Sequence, residues 1–167
     1  MEKTSQLQLL YFRITDLWKE FCELHNQLFE YTCDEYSHLL ASELEDLEET
    51  INKKKKVIEK IGFLEKQRLH LITDLNKILD NKQVNTVSEL TQFFHDFETE
   101  KEQKHLFRFN ALLVDIIQKI QDQNKRNQVF INKAIHSLKE IREDAIGQKS
   151  YATYNSFGKA KAKSLNI

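Results

Sequence analysis

The sequence predicts an all-α protein: an elongated antiparallel helical bundle, or coiled-coil-like hairpin, of three to four long helices with a flexible C-terminal tail. Three observations predict it. Pro is absent and Gly occurs three times in 167 residues, so few positions can force a hairpin or supply a positive φ. Charged residues make up 31% and hydrophobic ones 40%, a balance that suits long helices with one apolar face. Apolar side chains also recur at three- and four-residue steps over most of the chain.

The first element carries Leu7, Leu10, Ile14, Leu17, Phe21, Leu24, Leu28 and Tyr31 at that spacing, with Tyr11, Trp18 and Phe29 widening the stripe. It continues through Tyr36, Leu39 and Leu40. At Ser42–Glu45 the sequence offers a capping box, which places a boundary at Ala41–Ser42. The second element has Leu44, Leu47, Ile51, Ile58, Ile61, Ile72, Leu75 and Leu79 on a seam interrupted by Lys54, Glu65 and Arg68. It is expected to run to about Asp80, with Gly62 inside it at about 1 kcal/mol relative to Ala.

The stretch NKQVNTVSEL reads as a loop, and Thr86 with Glu89 forms a second capping-box pair that starts a helix near Val87. Its stripe is Val87, Leu90, Phe94 and Phe97. Residues 98–105 then hold no apolar side chain, and the pattern resumes out of phase at Leu106. A bend, a loop and a continuous helix with a rotating face all fit that break.

The last long element steps through Leu106, Phe109, Leu113, Ile116, Ile120, Asn124, Asn127, Ile131, Ala134, Leu138, Ile141 and Ala145. Gly147 is expected to close it as a C-cap. Residues 1–147 thus form a helical bundle domain, and residues 148–167 a flexible basic and aromatic tail.

Net charge is -1, and the last 21 residues carry Lys149, Lys159, Lys161 and Lys163 with no acid. An acidic body with a short basic tail lacks the concentrated basic face of a nucleic-acid binder. The run Lys53–Lys56 reads as a solvated helix face beside many acids. No apolar run reaches the roughly 20 residues of a membrane span, and the N-terminus has no signal-peptide pattern. Cys22 and Cys33 lie about 16 Å apart along one helix, too far for a disulfide. A cytoplasmic protein is predicted, without stable membrane insertion.

Catalytic constellations are absent from the pattern. Glu35–His38 and Glu102–His105 have the Glu-x-x-His spacing used by di-iron bundles, but the second lies in the charged break, so no metal is expected. No glycine-rich phosphate loop or nucleophile elbow occurs. A binding protein without cofactors is expected rather than an enzyme.

The amides Asn124 and Asn127 stand on the seam of the last helix, three apart on one patch. They form either a polar layer bonding Glu65 or Arg68 of the second helix, which would set register, or a set of donors and acceptors for another protein's helix.

The segment Asn124-Lys-Arg-Asn127-Gln-Val-Phe130-Ile131 resembles the Asn-x-x-Asn-(Gly/Gln)-x-Leu-Leu signature of FlgN-type flagellar export chaperones. Lys54, Val57, Ile58, Ile61, Leu64, Glu65 and Arg68 are similar to that family's second-helix pattern at the same spacing. Thr153-Tyr154-Asn155-Ser156-Phe157-Gly158 resembles its tail motif Tyr-x-x-x-Gly. Asn155 stands where those tails often have glycine, and Phe130 where Leu is usual.

The resemblance implies a bacterial cytoplasmic chaperone of the flagellar type III export system. Its clients would be the hook-associated proteins FlgK and FlgL, bound through their C-terminal helices, kept unassembled and delivered to the export gate. The client groove is expected to include Ile116, Ile120, Asn124, Asn127, Phe130, Ile131, Ala134 and Leu138. The resemblance further implies that the tail docks the gate through Tyr154 and the Gly158 motif. A weak homodimer is compatible with the pattern. The rival from another class is a structural or scaffolding bundle whose apolar seam serves only self-association.

Overall fold

The structure, a computed structural model, describes residues 1–80 and 82–157, with side chains as far as residue 147. It is all-α over these residues. The helices are α1 (Glu2–Ala41), α2 (Leu44–Ile78), α3 (Val87–Glu100) and α4 (His105–Phe157). Residues Met1–Asn124 make one compact unit and Lys125–Ile167 a second.

A chain so poor in glycine turns its corners with other residues. The boundary between α1 and α2 falls at Ala41–Ser42 as the sequence predicts, but by a different device. Ser42 adopts φ 58°, Glu43 N donates to His38 O at 3.0 Å and Ser42 N donates to Leu39 O at 3.4 Å. This is a Schellman motif, which satisfies the last carbonyls of α1. The expected capping box at Ser42–Glu45 does not form, and α2 has Glu43 as an N-cap without a side-chain bond. The reason is conformational: a left-handed Ser42 serves the end of α1, whereas an N-cap residue needs extended backbone.

The connection from α2 to α3 is clamped by Asn76. Its amide donates to Val84 O at 2.7 Å and accepts from Val84 N at 2.8 Å, which seats the Val84 side chain in the core at 1% exposure. The capping box at Thr86 forms as predicted. Thr86 Oγ1 accepts from Glu89 N at 3.1 Å, and Glu89 Oε2 accepts from Thr86 N and Asn85 N. Those two amides hold the exposed Glu89 carboxyl below its ordinary pKa.

The phase break after Phe97 is a turn. Glu102 takes φ 55°, Gln103 N donates to Glu98 O at 2.9 Å and Glu102 N donates to Thr99 O at 3.4 Å. The geometry used at Ser42 is repeated, with a glutamate in the left-handed position.

Gly147 does not stop α4, which continues to Phe157. Gly147 has no positive φ and nothing crowds it, and good helix formers such as Gln148, Lys149 and Ala152 follow it. The expected export-gate motif falls largely beyond: Gly158 lies outside the described residues, and Tyr154 lies within α4 with its side chain outside them.

The core of the first unit follows from the stripes. Leu10, Tyr11, Ile14, Leu17, Trp18 and Phe21 of α1 pack with Leu64, Leu71, Ile72 and Leu75 of α2, Leu90 and Phe94 of α3, and Leu106 of α4. Farther along α1, Cys22 packs with Ile116 and Ile120 of α4, flanked by Leu28, Phe29, Phe109 and Leu113. The polar seam residues of α2 are also accounted for. Lys54 Nζ meets Glu35 Oε2 of α1 at 2.9 Å, both side chains about 15% exposed, while Arg68 Nε donates to Glu65 Oε2 at 2.8 Å.

A candidate helix-binding surface on α4

The start of α4 is fixed by a buried carboxylate that the sequence pattern does not announce. Glu98, near the end of α3, is 2% exposed. Its Oε1 accepts from Leu106 N at 2.6 Å and from Tyr11 Oη at 2.8 Å, and its Oε2 accepts from Phe107 N at 3.3 Å. Leu106 and Phe107 are the second and third residues of α4, where unpaired amides and the helix dipole favour an anion. One side chain thereby joins α1, α3 and α4. The only sequence signal was an acid at the end of the stripe Leu90, Phe94, Phe97.

Burial and the hydrogen bond to Glu98 push the Tyr11 phenol up to about 12. The folded state therefore holds this proton more tightly than the unfolded state, whose value is near 10. Stability conferred by Tyr11 is present below pH ~10 and is lost as pH rises toward ~12, by an amount on the order of 2–3 kcal/mol. Denaturation midpoints across that window should fall more steeply for the wild type than for Tyr11→Phe. Equal slopes would mean that the Tyr11 proton is not linked to folding.

Two further bonds set the α1–α4 pairing. Trp18 Nε1 donates to Asn110 Oδ1 at 3.1 Å, and Cys22 Sγ donates to Phe109 O at 3.2 Å. Cys22 and Cys33 are not disulfide-bonded, and burial raises the Cys22 thiol pKa.

The expected groove residues divide into three groups. Ile116 and Ile120 are 6% and 7% exposed and pack in the chain's own core with Cys22. Ile116 still floors a groove of about 410 Å³ whose apolar lining includes Phe29, Phe109 and Leu112. Asn124 is exposed, whereas Asn127 is 2% exposed. Among the described residues no buried side-chain nitrogen or oxygen lacks a hydrogen-bond partner, so the Asn127 amide is satisfied in the free chain. The two amides thus differ in burial. Glu65 and Arg68, named as partners in one of the two readings of these amides, bond each other.

The third group lies in the second unit. Phe130 and Ile131 are half-buried and Ala134 is exposed. Leu138 is 66% exposed and Ile141 64%, with Ile135 and Ile146 near half. Aliphatic side chains stand at both ends of the seam, buried at Ile116 and Ile120 and exposed at Leu138 and Ile141. Local polar pairs keep this part of α4 helical: Gln128 Nε2 donates to Asn132 Oδ1 at 2.9 Å and His136 meets Glu140 at 3.3 Å, both i,i+4.

In the first Glu-x-x-His triplet both residues meet other side chains. Glu35 faces Lys54, and His38 Nδ1 lies 2.8 Å from Glu43 Oε2 instead. His38, Glu43 and Asp46 do gather their ligand atoms within 4.8 Å at the α1–α2 turn, a solvent-facing group with no buried member. No described helix is long and apolar enough to cross a membrane.

The fold and this surface define a class: an all-α bundle protein that presents a long amphipathic helix with part of its apolar face open. A family model described as FlgN protein matches residues 2–162. The chain belongs to the FlgN family, a family of flagellar export chaperones. No curated protein and no solved structure matches it.

Proposed function

We propose that the chain is a cytoplasmic, substrate-specific chaperone of the flagellar type III export system. Its clients are the C-terminal amphipathic helices of the hook-associated proteins FlgK and FlgL. The observation that carries this reading is the contrast on one helix between Ile116 and Ile120, buried, and Leu138 and Ile141, about two-thirds exposed. A solvent-facing stripe of large aliphatic side chains at helical spacing is what helix-in-groove docking requires.

The client helix lies against Phe130, Ile131, Ala134, Leu138 and Ile141. Each aliphatic side chain buried contributes roughly 1.5–3 kcal/mol of gross transfer energy, offset by an association cost of about 4–15 kcal/mol. The balance gives micromolar to nanomolar binding: tight enough to keep the client unassembled, weak enough to release it. The tail motif around Tyr154 and Gly158 docks the export gate, and no step in this function calls for catalysis.

Calorimetric titration of the full chain with a FlgK or FlgL C-terminal-helix peptide tests the reading. One-to-one binding in that affinity range is expected. Deleting residues 150–167 is expected to leave peptide affinity unchanged while reducing client export. Absence of binding would overturn the client assignment, and loss of peptide affinity on deletion would overturn the division of labour.

A further inference from the structure

The corner between α3 and α4 holds a cavity of about 400 Å³ that the client-binding reading does not use. Its walls include His95 and Glu98 of α3, Glu102 and Lys104 of the turn, and Phe107 of α4. With histidine neutral, the charged groups of the lining are two carboxylates and one ammonium, so the cavity favours a cation.

Glu98 gives a stronger reason. It is a carboxylate 2% exposed, and buried charges are ordinarily paired. Its bonds come from the amides of Leu106 and Phe107 and from the Tyr11 hydroxyl, and among the described residues no cation pairs with it. Its Oε2 accepts a single bond, from Phe107 N at 3.3 Å. That bond is long for an N–H donor, and a carboxylate oxygen has room for a second.

The walls also say which cation fits. Phe107 is 56% exposed, with its ring centroid 5.8 Å from that of His95 and the two planes at 44°. Flat aromatic faces beside carboxylates suit a planar guanidinium, which stacks on a ring while its edge donates hydrogen bonds. A metal ion is a poor match. Among the described residues the ligand atoms of His95, Glu98 and Glu102 are not gathered closely enough to hold one. A compact ammonium would leave much of the space unfilled.

We propose that the cavity at the α3–α4 corner receives the arginine side chain of a protein partner, its guanidinium against Phe107 and His95 and facing the carboxylates of Glu98 and Glu102. The cavity belongs to the first unit, and the proposal does not depend on what the open stripe of α4 binds. Lys104 has the same charge as the guest and opposes it, so the site is selective rather than tight.

Titration of the full chain with N-acetyl-arginine amide, followed by NMR of the His95 and Phe107 rings, tests this. Saturable shifts with a Kd on the order of millimolar are expected for so small a probe, weakening with added salt. N-acetyl-citrulline amide has nearly the same shape without the charge and should give none. N-acetyl-lysine amide should bind more weakly than arginine. Phe107→Ala should lower arginine affinity by about threefold or more, read at His95. Glu102→Gln should lower it by about two- to fivefold, and Lys104→Ala should raise it by a similar factor. Residues 102, 104 and 107 are exposed, and circular dichroism checks that each variant remains folded. Absence of saturable shifts, or an equal response to citrulline, would overturn the proposal. A lysine probe that binds as well as arginine would overturn the choice of guanidinium, and weaker binding by Lys104→Ala would contradict the charge argument.

Discussion

Glu98→Ala is expected to lower unfolding free energy by about 3–5 kcal/mol, the cost of removing one member of a buried charged network. The substitution leaves the Tyr11 hydroxyl and the amides of Leu106 and Phe107 without the acceptor they share. Tyr11 is fully buried, its ring centroid 5.1 Å from Phe97 and 5.7 Å from Phe94. Water therefore cannot readily replace the carboxylate. Against the 5–15 kcal/mol that holds an ordinary domain together, the loss is large. Glu98→Gln keeps an acceptor oxygen but not the charge, and should cost less than half as much. Urea titration of the three proteins checks this. A loss below about 1 kcal/mol for the alanine variant, the range of an ordinary exposed cap, would mean that Glu98 does not organise the start of α4.

Leu138→Glu combined with Ile141→Glu is expected to leave stability within about 0.5 kcal/mol, as for other exposed substitutions. Affinity for a client helix should nonetheless fall by a factor on the order of 10²–10⁴. Two aliphatic side chains at roughly 1.5–3 kcal/mol each account for that range. Ile120→Ala on the same seam should behave in the opposite way, costing about 2–5 kcal/mol of stability because it opens a cavity beside Cys22 and Leu28. Comparing the three variants separates the portion of α4 that builds the fold from the portion that meets another protein. If the glutamate pair unfolds the chain, Leu138 and Ile141 belong to its own core and the docking surface lies elsewhere.

Much of the fold is legible in the sequence because helical periodicity depends on local spacing. The helical segments, the boundary at Ala41–Ser42 and the capping box at Thr86 all follow from residues within a few positions of one another. The corners were less legible. Ser42 has the composition of an N-cap but the backbone of a C-terminal cap, and nothing in Ser-Glu-Leu-Glu distinguishes the two. Gly147 has the composition of a helix stop, yet glycine also tolerates ordinary helical angles, and the residues after it favour continuation. The charged break at 98–105 concealed a buried acid because Glu98 is aligned with its partners Tyr11, Leu106 and Phe107 only after folding.

The candidate surface shows the same division. The seam from Ile116 to Leu138 reads as one face interrupted by Asn124 and Asn127, and sequence assigns it to one groove. Burial divides it: Ile120 is held in the core beside Cys22, while Leu138 stands open. Asn124 and Asn127 look equivalent at i,i+3, yet one is exposed and the other enclosed. Periodicity states which residues share a face. It does not state where along that face the chain's own partners end, which depends on contacts between distant segments.

Hydrogen exchange of the full chain, measured with and without a FlgK or FlgL helix peptide, tests the central claim most directly. Amides from residue 130 to residue 146 should exchange readily in the free chain at concentrations where it is monomeric, and should become protected on adding peptide. Amides around Ile116 and Ile120 should be protected in both states. If residues 130–146 are already as protected in the free monomer as the Ile116–Ile120 segment, or if the peptide protects some other part of the chain, then α4 holds no reserved surface and the account is wrong.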